Sequence, residues 1–346
     1  MSNPDVSVVI PTYNCAKYIA ESIESVLAQT LPPAEILIVD DGSTDDTRAV
    51  VSTFTDSRIR YLERPHRGIA ATRNAGIDVA CGGYLAFLDA DDRWRPAMLE
   101  RQVALLEGDR SLVCSFTNFV RFVEGTGEVL PEQFTYYPEL TTLPVTPSAC
   151  GNAFLVEDDA FLHFIAFEEI PAYMQCMLFR RAPIAEMRLN EFLTRCEDLE
   201  FVARVFMRGK VAFTWEVLVE VRRHGVNATR DISLMALDKL WALLPLQVEA
   251  DTPARCAALN DRLVKARLNA ATTLIRAGRR IDGLEQYRGA LALPNCGRRK
   301  LKGTARVAYE LLTSLAAGKR AAAPERMKPQ IPEGPASPST RRRSSG

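Results

Sequence analysis

Three acidic stations punctuate this chain. Asp40-Asp41-Gly42-Ser43 follows the apolar run 35–39, Asp89-Ala90-Asp91-Asp92 follows the run 84–88, and Glu197-Asp198 opens a later helical stretch. Carboxylates are costly to cluster unless something cationic neutralises them. The first two stations fall where buried strands should end, which is where open α/β sheets collect their ligands. A divalent metal carrying a nucleoside diphosphate meets both conditions.

Individual residues sharpen this chemistry. Tyr13 lies just past the first strand end, where an aromatic ring can stack on a nucleobase. Asp41 can accept a hydrogen bond from a uracil imide, and Asp40 can position the loop or the base. Strand alternation is expected to put Asp89 and Asp91 on one side. Asp91 is then the metal ligand, and Asp89 reaches the ribose or the metal's water shell. Mg²⁺ or Mn²⁺ prefers such oxygen ligands and shares them with substrate phosphates. The ordinary alternative for each acidic turn is a helix cap, because Asp and Ser both cap well. His66 and His163 have no evident partner.

The elements that must position these groups are legible in the hydrophobic pattern. Residues 6–10 read as a buried strand stopped by Pro11. Ile19, Ile23, Val26 and Leu27 recur at helical spacing, with Asn14 placed to cap that helix. Residues 35–39 form a second strand, and 58–63 a third. Gly68 opens an Ala-rich helix to Ala80, and 84–88 form a fourth strand. A helix follows Pro96 to about Gly108, and 112–123 are strand again. This alternation implies an α/β fold with a largely parallel sheet and helices on both faces. Residues 124–170 are less regular and rich in aromatics. A helix at 197–208 carries two acids at its start, and 211–221 read as one or two strands ending at Arg222-Arg223-His224. Beyond Asp231 the pattern is helical to about Leu315. From Ala321 a Pro-, Ser- and Arg-rich tail is expected to be disordered.

Composition bounds the class. The 346 residues are 47% hydrophobic and 25% charged with no net charge, the profile of a globular domain. No apolar run is long enough to span a bilayer. The first residues lack a basic segment followed by an apolar core, so no signal peptide is read. The eight cysteines form no Cys-x-x-Cys pair, which favours reduced thiols in a cytoplasm. From Gly297 onward twelve Lys and Arg face three Glu. A basic tail on an acidic body fits contact with a polyanion, either an anionic membrane surface or nucleic acid. No Gly-x-Gly-x-x-Gly or Gly-x-x-x-x-Gly-Lys-Ser/Thr is present, which disfavours dinucleotide enzymes and P-loop NTPases.

The ordered series Val6–Asn14, Ser25–Thr30, Ile38–Asp45, Arg73-Asn74-Ala75-Gly76, Leu88–Asp92 with Trp94, and Glu197-Asp198 resembles family 2 glycosyltransferases. The resemblance covers roughly residues 5 to 225. It implies a GT-A fold, a nucleotide-sugar donor, a divalent metal and inversion at the anomeric carbon. Pro11, Tyr13, Asp40, Asp41, Arg73, Asp89 and Asp91 are then the nucleotide-sugar contacts. Asp41 is the uracil contact by analogy, and Arg73 reaches the nucleotide or its phosphates. Asp198 is the base that takes the acceptor proton, and Glu197 orients the acceptor or the base. Many non-processive members have Tyr-Arg-x-His near the end of this region. Here Val221 replaces the tyrosine, but His224 is still expected at the metal or diphosphate, with Arg222 and Arg223 on diphosphate or acceptor. Gln-x-x-Arg-Trp, the motif of processive synthases, is absent.

The expected organisation is a catalytic domain over 1–230, a helical region over 231–320 and the basic tail over 321–346. The expected function is metal-dependent, inverting, non-processive transfer from a UDP-sugar to a hydroxyl of a surface glycan or lipid-linked acceptor. The site of action is then cytoplasmic, with possible peripheral contact at the inner face of the plasma membrane through the basic C-terminal segment. No nucleic-acid partner is expected. A sugar nucleotidyltransferase and a non-catalytic nucleotide-binding scaffold are the alternatives.

Overall fold

The computed structural model describes residues 5–149, 151–167, 171, 173–224, 235–294 and 297–316, with the side chains of 297–302 and 314–316 left aside. The expected tail from Ala321 lies outside the described residues, as does the stretch 225–234.

Among the described residues, ten strands form one sheet. They are β1 (Val6–Thr12), β2 (Glu35–Asp40), β3 (Ile59–Glu63), β4 (Tyr84–Phe87), β5 (Arg93–Trp94), β6 (Leu112–Val123), β7 (Val145–Pro147), β8 (Ala153–Val156), β9 (Met177–Arg180) and β10 (Lys210–Arg223). Their order is β3-β2-β1-β4-β9-β6-β10-β8-β7, with β5 paired to β10. β3, β2, β1 and β4 run parallel, as do β6 and β10. β9 is inserted antiparallel between β4 and β6. The helices are α1 (Ile19–Leu27), α2 (Thr47–Val51), α3 (Ile69–Val79), α4 (Met98–Gly108), α5 (Ala160–Phe164), α6 (Arg181–Ile184), α7 (Glu197–Phe206), α8 (Met235–Leu243), α9 (Leu246–Glu249), α10 (Pro253–Arg276), α11 (Arg280–Ala292) and α12 (Gly297–Ala316).

The β-branched runs of β1 and β2 are wholly buried along nearly their full length, as strands covered on both faces must be. Two expectations are corrected here. Pro11 does not stop β1, which continues through it to Thr12 in register with Val39 and Asp40. β4 pairs with β1 only as far as Val9. Beyond that point the missing proline N–H leaves no ladder bond to β4 unmade. Asn14 does not cap α1, whose cap position is Tyr18. Asn14 instead adopts φ 50°, and its Oδ1 accepts the backbone N–H of Thr44 at 2.7 Å. It thereby joins the loops after β1 and β2.

The aromatics of 124–170 mostly fill the core. Phe134 and Phe164 are buried against Phe116, Phe206 and Phe213, and Phe161 is buried too. The main core also continues into α8–α10 through Leu240, Leu243, Leu246, Leu263 and Leu274. α12 packs on α10 through Val307 and Leu268, close enough that a Cβ on Gly303 would lie 2.3 Å from Leu268 Cδ1. No helix among the described residues is long and apolar enough to cross a membrane.

Candidate active site

The site forms where β1, β2 and β4 end. Ser22 of α1 donates its hydroxyl to the carbonyls of Ala90 and Asp92, at 2.8 and 2.6 Å, and so pins the second acidic station. That station is a turn closed by Asp92 N–H to Asp89 O at 3.0 Å. Strand alternation therefore does not orient Asp89 and Asp91, because β4 ends at Phe87.

Each carboxylate of the turn has a different partner. Asp89 Oδ1 takes Arg73 Nη2 at 2.8 Å. Asp91 Oδ2 lies 2.9 Å from His224 Nε2. Asp92 is buried and accepts the Arg222 N–H at 2.8 Å and Gln175 Nε2 at 2.7 Å. Burial raises the Asp91 carboxyl above its usual range, and Asp89 adds to this while His224 opposes it. Burial likewise holds Asp92 well above its usual range. A cation placed here would offset the mutual repulsion of these carboxylates.

Among the described residues no three His, Cys, Asp or Glu side chains enclose a metal by themselves. The donor set is nonetheless suitable for Mg²⁺ or Mn²⁺ shared with a diphosphate, since such ions commonly take one or two protein ligands and complete their shell from phosphate and water. Asp91 and His224 are the pair best placed for it.

Arg73 is buried within α3. Its Nη1 lies 2.7 Å from Glu197 Oε1 while its Nη2 holds Asp89. Through these two bonds the fork joins the second and third stations. Asn74 beside it fixes backbone, bonding Leu189 through both its amide atoms. Cys196, in the left-handed conformation at φ 58°, turns the chain into α7. A non-glycine residue held there costs free energy and marks sites where position matters. Burial, with the Asp198 charge beside it, pushes Glu197 up to about 7. Asp198 is also raised by burial, although Arg73 opposes the shift, and its Oδ1 accepts the Leu199 N–H at 2.8 Å.

At the first station Asp40 is internal: its carboxylate accepts the Ser43 N–H at 2.7 Å and the Tyr61 hydroxyl. Pro11 is buried in β1. Asp41 accepts the N–H groups of Arg67 and Gly68, both at 2.8 Å. Tyr13 is 44% exposed and stacks on His66, a neighbour the sequence did not disclose.

Arg222 is buried, with Nε on the Asp91 carbonyl at 2.9 Å and Nη2 on Glu21 at 2.7 Å. It braces the turn from behind, whereas Arg223 is exposed. Tyr18 was also missed by sequence reasoning. Its ring stacks on His224 with centroids 4.9 Å apart, and its hydroxyl donates to Glu124 at 3.1 Å. Tyr18 supplies an aromatic neighbour to His224 from α1, although Val221 holds the place of the family tyrosine.

The profile described as "Glycosyl transferase family 2" matches residues 7–170. Residues 7–170 belong to glycosyltransferase family 2. Among relatives of this chain is an uncharacterized glycosyltransferase, alr2836, of Nostoc sp., 31% identical over 226 residues. That match covers 64% of this chain and 66% of the relative. WfaP of Escherichia coli, a UDP-Glc:alpha-D-GlcNAc-diphosphoundecaprenol beta-1,3-glucosyltransferase, is 38% identical over 115 residues, 33% of this chain and 45% of WfaP. The chain thus matches between about half and two thirds of these relatives' lengths. In overall shape the chain resembles S. aureus TarS 1-349 in complex with UDP-GlcNAc, with a TM-score of 0.64 and 18% identity over 90% of this chain and 91% of TarS 1-349. At that identity the likeness speaks for the GT-A fold.

Proposed function

We propose that this chain transfers a sugar from a UDP-sugar to a hydroxyl of a surface glycan or its lipid-linked precursor, with inversion and with a divalent cation. The observation that carries this reading is the Arg73 fork, which ties Asp89 of the donor station to Glu197 beside Asp198. One rigid connection thus relates the diphosphate end of the site to its base.

Tyr13 offers an exposed ring to the nucleobase, and Asp41 offers a carboxylate to its imide N–H. Asp91 and His224 would hold the cation, and Asp89 would face the ribose or the cation's water shell. When bound, the cation supplies charge stabilisation for the departing diphosphate. Asp198 takes the proton of the acceptor hydroxyl as that oxygen attacks the anomeric carbon from the opposite face. A single base is enough because the diphosphate leaves without needing a proton, unlike the leaving group of a glycosidase. Burial raises Asp198, which brings its basicity toward the pH at which it must work. Glu197, locked on Arg73, fixes the orientation of the start of α7.

The lipid-linked acceptor is supported by WfaP, whose name gives a diphosphoundecaprenol acceptor. α12 fits a peripheral position at a membrane surface, with Tyr309 and Leu312 exposed beside Arg306. Such a face can rest in an anionic interface.

The test is UDP release from a panel of UDP-sugars, with Mn²⁺ and with chelator, for the native chain and Asp198→Asn. Metal-dependent release with one donor supports the reading. Native-like release by Asp198→Asn removes the base assignment, and no UDP binding at all removes the donor assignment.

A further inference from the structure

His66 lies against both groups assigned above to the nucleobase. Its imidazole stacks on Tyr13, with ring centroids 4.3 Å apart and planes inclined by 27°. Its Nδ1 lies 3.2 Å from the Asp41 backbone carbonyl, in hydrogen-bond geometry, and 2.8 Å from Asp41 Oδ2. A flat ring on Tyr13 and a ring nitrogen at Asp41 are the two interactions that a uracil ring would make. We propose that His66 is a built-in base mimic, which competes with the donor nucleobase for Tyr13 and Asp41 and thereby sets nucleotide affinity. This inference rests on the nucleotide-sugar reading above.

The local backbone holds the ring in place without depending on it. Gly42 has φ +80°, and a Cβ there would meet Arg64 O and His66 N at 3.2 Å. Glycine therefore lets the 64–66 segment lie close over the Asp41 turn. The segment is anchored by the Arg67 and Gly68 N–H bonds to Asp41. The imidazole can consequently swing away while the loop stays. The His66 side chain is 59% exposed, so no core packing opposes that swing. What must be given up is one aromatic stack and the Nδ1 hydrogen bond at Asp41, together worth about five- to 150-fold in affinity. An arriving base makes both contacts in its place, and the imidazole moves into solvent.

The experiment is calorimetric titration of UDP with Mn²⁺ into the native chain and into His66→Ala. Alongside it, the histidine ring signals of the native chain are followed by NMR, where only three histidines contribute. His66→Ala is expected to bind UDP about five- to 150-fold more tightly. In the native chain the His66 ring signals should lose the ring-current shift from Tyr13 as UDP saturates. Equal or weaker binding by His66→Ala overturns the proposal, because His66 would then be a bystander or a wall of the base site. A ring-current shift that persists at saturation overturns it too, and this readout needs no variant. Binding by His66→Ala alone, with the native chain silent, is the strongest form of support. If neither protein binds UDP, the donor reading itself falls and this inference falls with it.

Discussion

His224 Nε2 lies 2.9 Å from Asp91 Oδ2 although 133 residues separate them in the chain. The parallel pairing of β10 with β6 brings the end of β10 to this point, with Arg222 opposite Phe122. Arg222 then grips the Asp91 carbonyl and the Asp92 carboxylate receives its N–H. A ring nitrogen and a carboxylate oxygen are thus brought together by the end of β10, an interior strand of the sheet, and the turn that follows β4.

His224→Ala should therefore raise the Mn²⁺ concentration required for half-maximal UDP release by about 10–100-fold, the scale seen when metal sites lose an ordering partner. Chelator should abolish release by the native chain. Titration of release against Mn²⁺ checks both. An unchanged metal requirement would remove His224 from the site.

Asp198→Asn should lower turnover by about 10²–10⁴-fold, the usual contribution of a positioned general base. UDP affinity should stay within about twofold on the affinity scale, because Asp198 has no role in holding the nucleotide. Steady-state rates and UDP calorimetry on the same preparation separate the two effects.

The Glu197–Asp198 pair gives a pH dependence with a definite sign. Burial pushes Glu197 up to about 7 and raises Asp198. Turnover should fall as pH drops through about 7, with an apparent value belonging to the pair. Stability runs the other way. A carboxyl whose folded pKa is raised stabilises the fold below its unfolded value, and that contribution is lost as pH rises through the folded value. The stability of the native chain relative to Glu197→Gln should accordingly decline from about pH 5 to pH 8. Denaturation midpoints across that range give the answer.

Arg73→Ala leaves Asp89 and Glu197 facing one another without their cation. Removing one partner of a buried ion pair typically costs about 3–5 kcal/mol. Arg73→Lys should recover only part of this, since one ammonium cannot reproduce a fork that spans two carboxylates. Urea denaturation of the three proteins measures the difference.

Gly76→Ala tests the packing under this fork. A Cβ on Gly76 would lie 2.4 Å from Val9 Cγ1, so α3 must move off β1. The expected loss is about 1–3 kcal/mol of stability. Turnover should drop as well, because α3 carries Arg73. Urea denaturation and UDP release on the same sample report both.

Much of this was legible beforehand because strand burial and helical periodicity are local signals. The runs that became β1, β2 and β4 are apolar whatever their neighbours, and the acidic stations at their ends follow from position alone. The antiparallel β9 was not legible. Its four residues carry too little pattern, and its place is set by β4 on one side and β6 on the other. Tyr18 and His66 were equally hidden, since stacking partners distant in sequence leave no periodic trace.

The sequence by itself determined the α/β class, the family resemblance and the identity of the acidic residues, because residue type and short-range spacing encode them. Tertiary structure alone decided what each charge faces. Arg73 bridges Asp89 and Glu197, a pairing no local pattern announces. Arg222 became a brace behind Asp91. The physical reason is that a buried charge must find a partner, and only the folded chain specifies which opposite charge or dipole lies within reach.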